Sequence, residues 1–471
     1  MISSSGAGPL AGLSAPEAIA TMREFRARTL SLIADLDDAQ MIGPRIATVN
    51  PPLWEIGHVA WFAEFWFLRH LKNQKPLRPD GDRLYNSTDV AHDTRWELLL
   101  PSREKTLRYM DEVLERICEY LDAARALSAE EFYFALLATF HEGMHAEALA
   151  ITRQTLAYPA PKAIEPTPAP IAAGQFSPGD VEIPGGRFTI GASRDFPFVF
   201  DNEKWAHPVQ LRPFRIARAP VTNGEFLAFV EAGGYRRQQY WSAEGWRWLE
   251  TGGAPELEKS FARFFKREAG KSSGQSASAA RLDHPIYWRR EAAGRWRARA
   301  FDQLVPLQEN LPALHIAWYE AEAYCNWAGR RLPTEAEWEA AASAEPAEGG
   351  ALSDRRRHFP WGGEAASAAR ANLDWRHPGA VEVGAYGAGD SAFGCRQMIG
   401  NVWEWTADEF KPYPGFVADP YKEYSQPWFG THKVLRGGCW ATSSLLIRST
   451  WRNFYTPDRR DVWAGFRTCA K

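Results

Sequence analysis

Two histidines stand four residues apart in Phe140-His141-Glu142-Gly143-Met144-His145, inside an apolar run from Ser128 to about Tyr158. Ser128 and Glu131 form a capping box, and Phe132, Leu136, Leu137 and Phe140 recur at helical spacing. The run therefore predicts a helix with His141 and His145 stacked on one face. That spacing is how a helix offers two imidazole nitrogens to one metal ion. Ordinary helix-face histidines share it. His58 is the candidate third ligand: Trp54, His58, Trp61, Phe62 and Phe65 make one apolar stripe, where an imidazole must satisfy its ring nitrogens or cost stability. His70, past Arg69 at the helix end, and His92, in a loop, are expected to be solvated. Three neutral imidazoles leave coordination positions open for reactants, the pattern of a catalytic rather than a closed structural site.

Four helices must position these groups. Ser14-Ala15-Pro16-Glu17 is a capping box with proline in the first turn, opening a helix to about Leu36. An extended entry at Asn50-Pro51-Pro52-Leu53 precedes a helix over Trp54–Arg69, a third spans roughly Ser102–Arg125, and the fourth starts at Ser128. Amphipathic helices so joined predict a bundle, and bundles build metal sites in their cores. After residue 157 the prolines at 159, 161, 166, 168 and 170 predict a semi-rigid linker over 158–180, separating domain 1–157 from domain 181–471.

In the second domain Val181 to Phe188 reads as strand, turn and strand. A short helix follows, capped by Thr222 or Asn223, then another over Trp318–Gly329 and a third behind the capping box in Arg331-Leu332-Pro333-Thr334-Glu335-Ala336-Glu337. Thr251–Arg281, rich in Gly, Ser and charge, reads as a partly mobile insertion. Crowding of most of the chain's 21 tryptophans into this half predicts a loop-rich core held by aromatic side chains.

Composition narrows the class. The hydrophobic share of 45% and charged share of 24% are those of a globular protein, and a net charge of −3 without a basic run argues against nucleic acid. No apolar run reaches the length of a membrane-spanning helix, and Met1–Leu13 lacks a signal-peptide pattern. Five cysteines without C-x-x-C spacing predict a reduced, cytoplasmic protein.

The order of several motifs now carries a resemblance. Ile183-Pro184-Gly185-Gly186-Arg187-Phe188, Pro220-Val221-Thr222-Asn223, Arg331-Leu332-Pro333-Thr334-Glu335-Ala336-Glu337-Trp338, Gly400-Asn401-Val402-Trp403-Glu404-Trp405, Leu435-Arg436-Gly437-Gly438 and Gly465-Phe466-Arg467 resemble the formylglycine-generating-enzyme domain, of C-type-lectin-like fold. Behind a DinB-like four-helix bundle with three histidines, the whole is similar to the nonheme-iron sulfoxide synthases of ergothioneine biosynthesis and to selenoneine synthase. The implied fold class is α+β. The implied activity is an iron(II) enzyme that uses dioxygen to join a sulfur or selenium donor to imidazole C2 of hercynine, a trimethylated betaine of histidine, with His58, His141 and His145 as ligands. A trimethylammonium group needs aromatic faces or a carboxylate, and Trp403 is one expected aromatic contact.

The family's pocket carries over residue by residue. Asn453 matches its betaine-contacting asparagine, and Phe454 stands where a tryptophan is usual. Tyr455 replaces an aspartate found in γ-glutamylcysteine users, Arg459 keeps the arginine position, and Met144 replaces a glutamine. Arg103 is retained, with Leu100 where a further arginine is usual. A site stripped of donor-recognising polar groups has changed its ligand, which favours a neutral selenosugar over γ-glutamylcysteine or cysteine as donor; with a thiol the product is an ergothioneine or ovothiol precursor. The family's acid/base tyrosine is expected at Tyr421 or Tyr424, with Tyr413 behind them. Two other classes are weighed. Formylglycine formation needs a cysteine pair after Arg436-Gly437-Gly438, but Ala441–Arg452 has no cysteine and Cys439 stands alone. A noncatalytic module would hold structural zinc on the same histidines.

Overall fold

A computed structural model describes residues 13–124, 126–162, 176–252 and 282–471. The chain divides into two compact units between Ala163 and Ile164. Residues 158–162, assigned to the linker from sequence, thus belong with the first unit, where Pro159 O accepts from Arg153 Nε at 2.9 Å.

The first unit is helical. Helix α1 (Ala15–Ser31) starts at Ser14 and stops before Leu36, and a short helix α2 (Asp38–Ile42) restarts from a capping box of Asp37 and Gln40. Helix α3 (Pro52–Ala63) is buried at every residue and passes into a π-helical stretch, Glu64–Leu71, where a regular helix is expected to continue to Arg69. A further short helix, α4 (Gly81–Tyr85), precedes α5 (Arg103–Ala123) and α6 (Ala129–Thr155). α1 and α3 each pack on both α5 and α6, which closes the four-helix bundle. Arg26 of α1 pairs with Glu142 of α6 inside it, Nε to Oε1 at 2.8 Å.

The second unit carries short strands and loops. β1 (Asp180–Ile183) and β2 (Gly186–Ile190) are present, yet they pair away from each other: β2 with β3 (His207–Leu211), β1 with β4 (Phe214–Ala217). The helix Asn223–Glu231 is capped by Thr222; the helices Trp318–Trp327 and Glu335–Ser343 follow. A four-stranded sheet of Trp403–Glu409, Lys433–Arg436, Asn453–Tyr455 and Ala464–Gly465 forms its centre, ordered with Asn453–Tyr455 at one edge. Most of the predicted insertion, 253–281, and residues 1–12 lie outside the described residues.

The family motifs meet here as buried ion pairs. Glu335 accepts from Arg436 Nη1 and Arg452 Nε, each at 2.7 Å, and Glu339 takes the other arm of Arg436. Glu404 accepts from Arg467 Nε at 2.6 Å and from Trp338 Nε1 at 2.8 Å. Each pair joins segments far apart in sequence, so these arginines and carboxylates are structural. The α+β class follows from the two units together. No helix among the described residues is long and apolar enough to cross a membrane.

Candidate metal centre in the helical bundle

His58 comes from α3, and His141 and His145 from α6. One ligand nitrogen from each lies within 4.8 Å of the others, the only such cluster of potential metal ligands among the described residues. The Nε2 atoms of His141 and His145 face each other at 3.1 Å. His70 is solvent-exposed, as expected. His92 corrects its expectation: it is half-buried, with Nε2 2.7 Å from Val49 O.

The ring orientations are fixed from behind. His58 Nδ1 lies 2.7 Å from Tyr85 O. A carbonyl oxygen only accepts, so Nδ1 carries the hydrogen and Nε2 presents its lone pair. His145 Nδ1 lies 2.5 Å from Glu55 Oε1, giving it the same tautomer. Asn50 Nδ2 donates to the other Glu55 oxygen at 2.6 Å. Burial pushes the Glu55 carboxyl up, but the His145 imidazole and then His58 more than offset this and hold it below its usual range. A carboxylate behind a metal-binding imidazole orients the ring and raises its basicity. Sequence reading missed Glu55. Its signal was present: an acidic residue three before His58, within a wholly apolar helix.

Aromatic rings enclose the cluster. Trp54 stacks on His58 at 4.8 Å between centroids and 9° between planes, and Phe62 stacks on His141 at 3.5 Å. Burial pushes His58 down to about 3, with the neighbouring His145 ring adding to the effect, and pushes His141 well below the usual range. Those two rings are therefore neutral, the form that binds a metal. The donor set fits a borderline divalent cation with open positions rather than a closed site. Glu142, adjacent to His141, is held by Arg26 in the ion pair between α1 and α6.

The other predicted residues have these surroundings. Met144 is half-buried beside His145. Arg103 spends its fork on the end of the first helical segment, donating to Leu36 O at 2.6 Å and Ile33 O at 2.7 Å. In the second unit, Asn453, Phe454 and Tyr455 form the sheet edge opposite Lys433–Leu435. Phe454 stacks on Phe410 at 4.1 Å, and Asn453 Oδ1 accepts from Phe454 N at 2.8 Å. Arg459 pairs with Asp461, Nε to Oδ1 at 2.6 Å, while its guanidinium lies 4.9 Å from the Tyr455 ring centre. Trp403 is 1% exposed and packs edge-on against Trp451.

Tyr424 stacks on Phe200 at 4.3 Å, and its hydroxyl accepts from Trp451 Nε1 at 3.2 Å. Tyr421 lies 6.1 Å from Tyr424 between ring centres, and burial pushes both hydroxyls up. Tyr413 is committed elsewhere, donating to Glu335 at 3.2 Å under the Arg452 guanidinium. All five cysteines are free and buried, and Cys439 Sγ accepts from Thr442 Oγ1 at 3.5 Å.

Comparison with known proteins gives a consistent result. The Sulfatase-modifying factor enzyme 1-like domain matches residues 168–471, and the DinB superfamily matches residues 21–149. The hercynine oxygenase of Mycobacterium tuberculosis is 36% identical over 462 residues, 97% of this chain and 99% of that protein. The hercynine oxygenase of Mycolicibacterium thermoresistibile is 35% identical over 469 residues, 97% of this chain and 96% of that protein. The formylglycine-generating enzyme of Streptomyces coelicolor is 32% identical over 332 residues, 96% of that protein but 67% of this chain. The hercynine oxygenases thus match nearly end to end, bundle included.

Proposed function

The chain belongs to the family of the hercynine oxygenases, enzymes of oxidoreductase type, and we propose that it couples a selenium or sulfur donor to imidazole C2 of hercynine with dioxygen. Iron(II) is the proposed metal, held by His58, His141 and His145; when bound, it would bring donor and dioxygen together and supply the redox chemistry. One observation carries this reading: three imidazoles from two separate helices converge within 4.8 Å. The chain's own contribution is preparation. Glu55 and the Tyr85 carbonyl aim the rings, while Trp54 and Phe62 stack on His58 and His141 and hold them in place.

For the donor we infer a neutral selenosugar, giving selenoneine. Besides Tyr455, Met144 and Leu100, the surroundings of two arginines support this. Arg459 is already paired with Asp461, and Arg103 donates to backbone carbonyls, so neither offers an uncommitted charge to an amino-acid carboxylate. Asn453 and Phe454 are the proposed contacts of the betaine; Trp403, expected among them from sequence, is 1% exposed and packs in the core instead.

Tyr424 is the favoured proton donor, with Tyr421 behind it. Its oxygen accepts from Trp451, which leaves its own proton to give and stabilises the phenolate left behind. Tyr424→Phe is expected to lower turnover by about 10²- to 10⁴-fold, the usual contribution of a positioned acid. The five free thiols support a reducing compartment such as the cytoplasm.

Incubating iron-loaded protein, hercynine and dioxygen with a selenosugar, γ-glutamylcysteine or cysteine tests the donor by mass spectrometry. A carbon–selenium product from the selenosugar is expected. A sulfoxide from γ-glutamylcysteine, without turnover of the selenosugar, would overturn the selenium reading and leave the hercynine reading in place.

A further inference from the structure

Behind the histidine cluster lies a buried cation that touches the ring stacked on one ligand and reaches the carboxylate behind another through Asn50. Arg95 is 8% exposed. Its Nη1 donates to Asn50 Oδ1 at 2.5 Å, Asn50 Nδ2 donates to Glu55 Oε2 at 2.6 Å, and Glu55 Oε1 accepts from His145 Nδ1 at 2.5 Å. The same guanidinium lies 3.9 Å from the centre of the Trp54 ring, whose other neighbour in the stack is His58, 4.8 Å away and nearly parallel. Trp54 is pinned in turn by its Nε1, which donates to Leu84 O at 2.7 Å.

We propose that Arg95 is the positioning residue of the metal centre, setting His145 through Asn50 and Glu55 and setting His58 through Trp54. Two features argue that this is more than local packing. The hydrogen bonds run in one direction without a break, from a permanent cation through Asn50 to the carboxylate that accepts a ligand's ring hydrogen. A planar guanidinium is also the one cationic side chain able to stack flat on an indole while donating along its edge. Burying a cation is costly unless its contacts compensate it, and here they are Asn50 Oδ1, Val90 O at 3.3 Å and the Trp54 ring, with the Glu55 carboxylate one hydrogen bond beyond Asn50.

The inference rests on the reading of the three histidines as a metal site, and the test separates the two. Full-length metal-free protein is titrated with Co(II) alone and then Fe(II) alone, without oxygen, for the wild type, Asn50→Ala, Glu55→Gln, Arg95→Met and the double variant Asn50→Ala/Glu55→Gln. Affinity comes from the titration, ligand geometry from the visible Co(II) bands, and folding from circular dichroism. Asn50→Ala is expected to weaken binding about 10- to 100-fold and to alter the Co(II) bands, as loss of support behind a ligand does. Arg95→Met is expected to lose more, because the Trp54 prop goes as well. The double variant is expected to lose little beyond Glu55→Gln alone, because both substitutions break one chain. Should Arg95→Met fail to fold, Arg95→Lys takes its place, since lysine keeps the buried charge but cannot both stack flat on Trp54 and donate along its edge. Binding within twofold of wild type and unchanged Co(II) bands in the folded variants would overturn the inference alone. A wild-type chain that takes up neither metal would overturn the metal reading and this inference with it.

Discussion

At the scale of single residues, Glu55 is the side chain whose change is most informative. Glu55→Gln replaces an ionised acceptor with a neutral amide behind His145, which weakens both its hold on the ring and its effect on basicity. Metal affinity is expected to fall about 10- to 100-fold in a direct titration, and unchanged affinity would refute the role. His58, His141 and His145 were legible because a histidine on an apolar stripe, or a pair at helical spacing, requires a partner. Arg95 was not, since its significance depends on the loop before α5, and Glu55 showed only as an acidic residue in an otherwise apolar stretch, because which ligand it serves depends on which side of α3 meets α6. Asp201 illustrates a second kind of buried carboxyl. Burial pushes it up to about 6, despite the hydrogen bond from Ser425. The folded state therefore holds this proton more tightly than the unfolded chain does, and the associated stability is present below pH ~4 and lost as pH rises to about 6. Asp201→Asn is expected to stabilise the fold by on the order of 1–3 kcal/mol at pH 8 and negligibly at pH 3.5. Equal unfolding midpoints at pH 8 would contradict this.

Among elements, α3 and α4 decide where His58 points. A Cβ on Gly57 would meet the buried Tyr85 ring at 2.3 Å, and it is the Tyr85 carbonyl that accepts from His58 Nδ1. Gly57→Ala is expected to destabilise the bundle by about 1–3 kcal/mol, as overpacking does, and to weaken metal binding in the same variant. Thermal unfolding and a metal titration check both; loss of stability with full affinity would uncouple α4 from the site. Helix starts were readable at capped positions such as Ser128, Thr222 and Thr334, but the capped starts at Asp37 and Ser242 escaped because the helices behind them are too short to show periodicity. The passage of α3 into a π-helical stretch was not readable, because hydrophobic periodicity is insensitive to one extra residue per turn. There Glu64 accepts from Leu77 N at 2.6 Å and from the Tyr109 hydroxyl. Strand pairing escaped for a related reason: β1 and β2 are adjacent in sequence, and nothing local shows that their partners are β4 and β3.

Over the whole molecule, the motifs that carried the family resemblance turn out to hold the second unit together. Glu335 serves Arg436 and Arg452 at once. Glu335→Gln leaves two buried guanidinium groups around one neutral amide and is expected to cost about 3–5 kcal/mol, read from the shift of the urea midpoint. A shift under about 1 kcal/mol would mean that the pairs contribute little. Motif order thus announced the fold, whereas Tyr455, Met144 and Leu100 support the proposed selenosugar donor only through polar groups that are missing. The most direct test of the account is dioxygen consumption by the full chain loaded with iron(II), supplied with hercynine and each donor, beside His58→Ala and a zinc-loaded sample. The account predicts uptake that requires hercynine, donor, iron and His58 together. Uptake unchanged in His58→Ala, or tightly held zinc with no uptake under any condition, would contradict it.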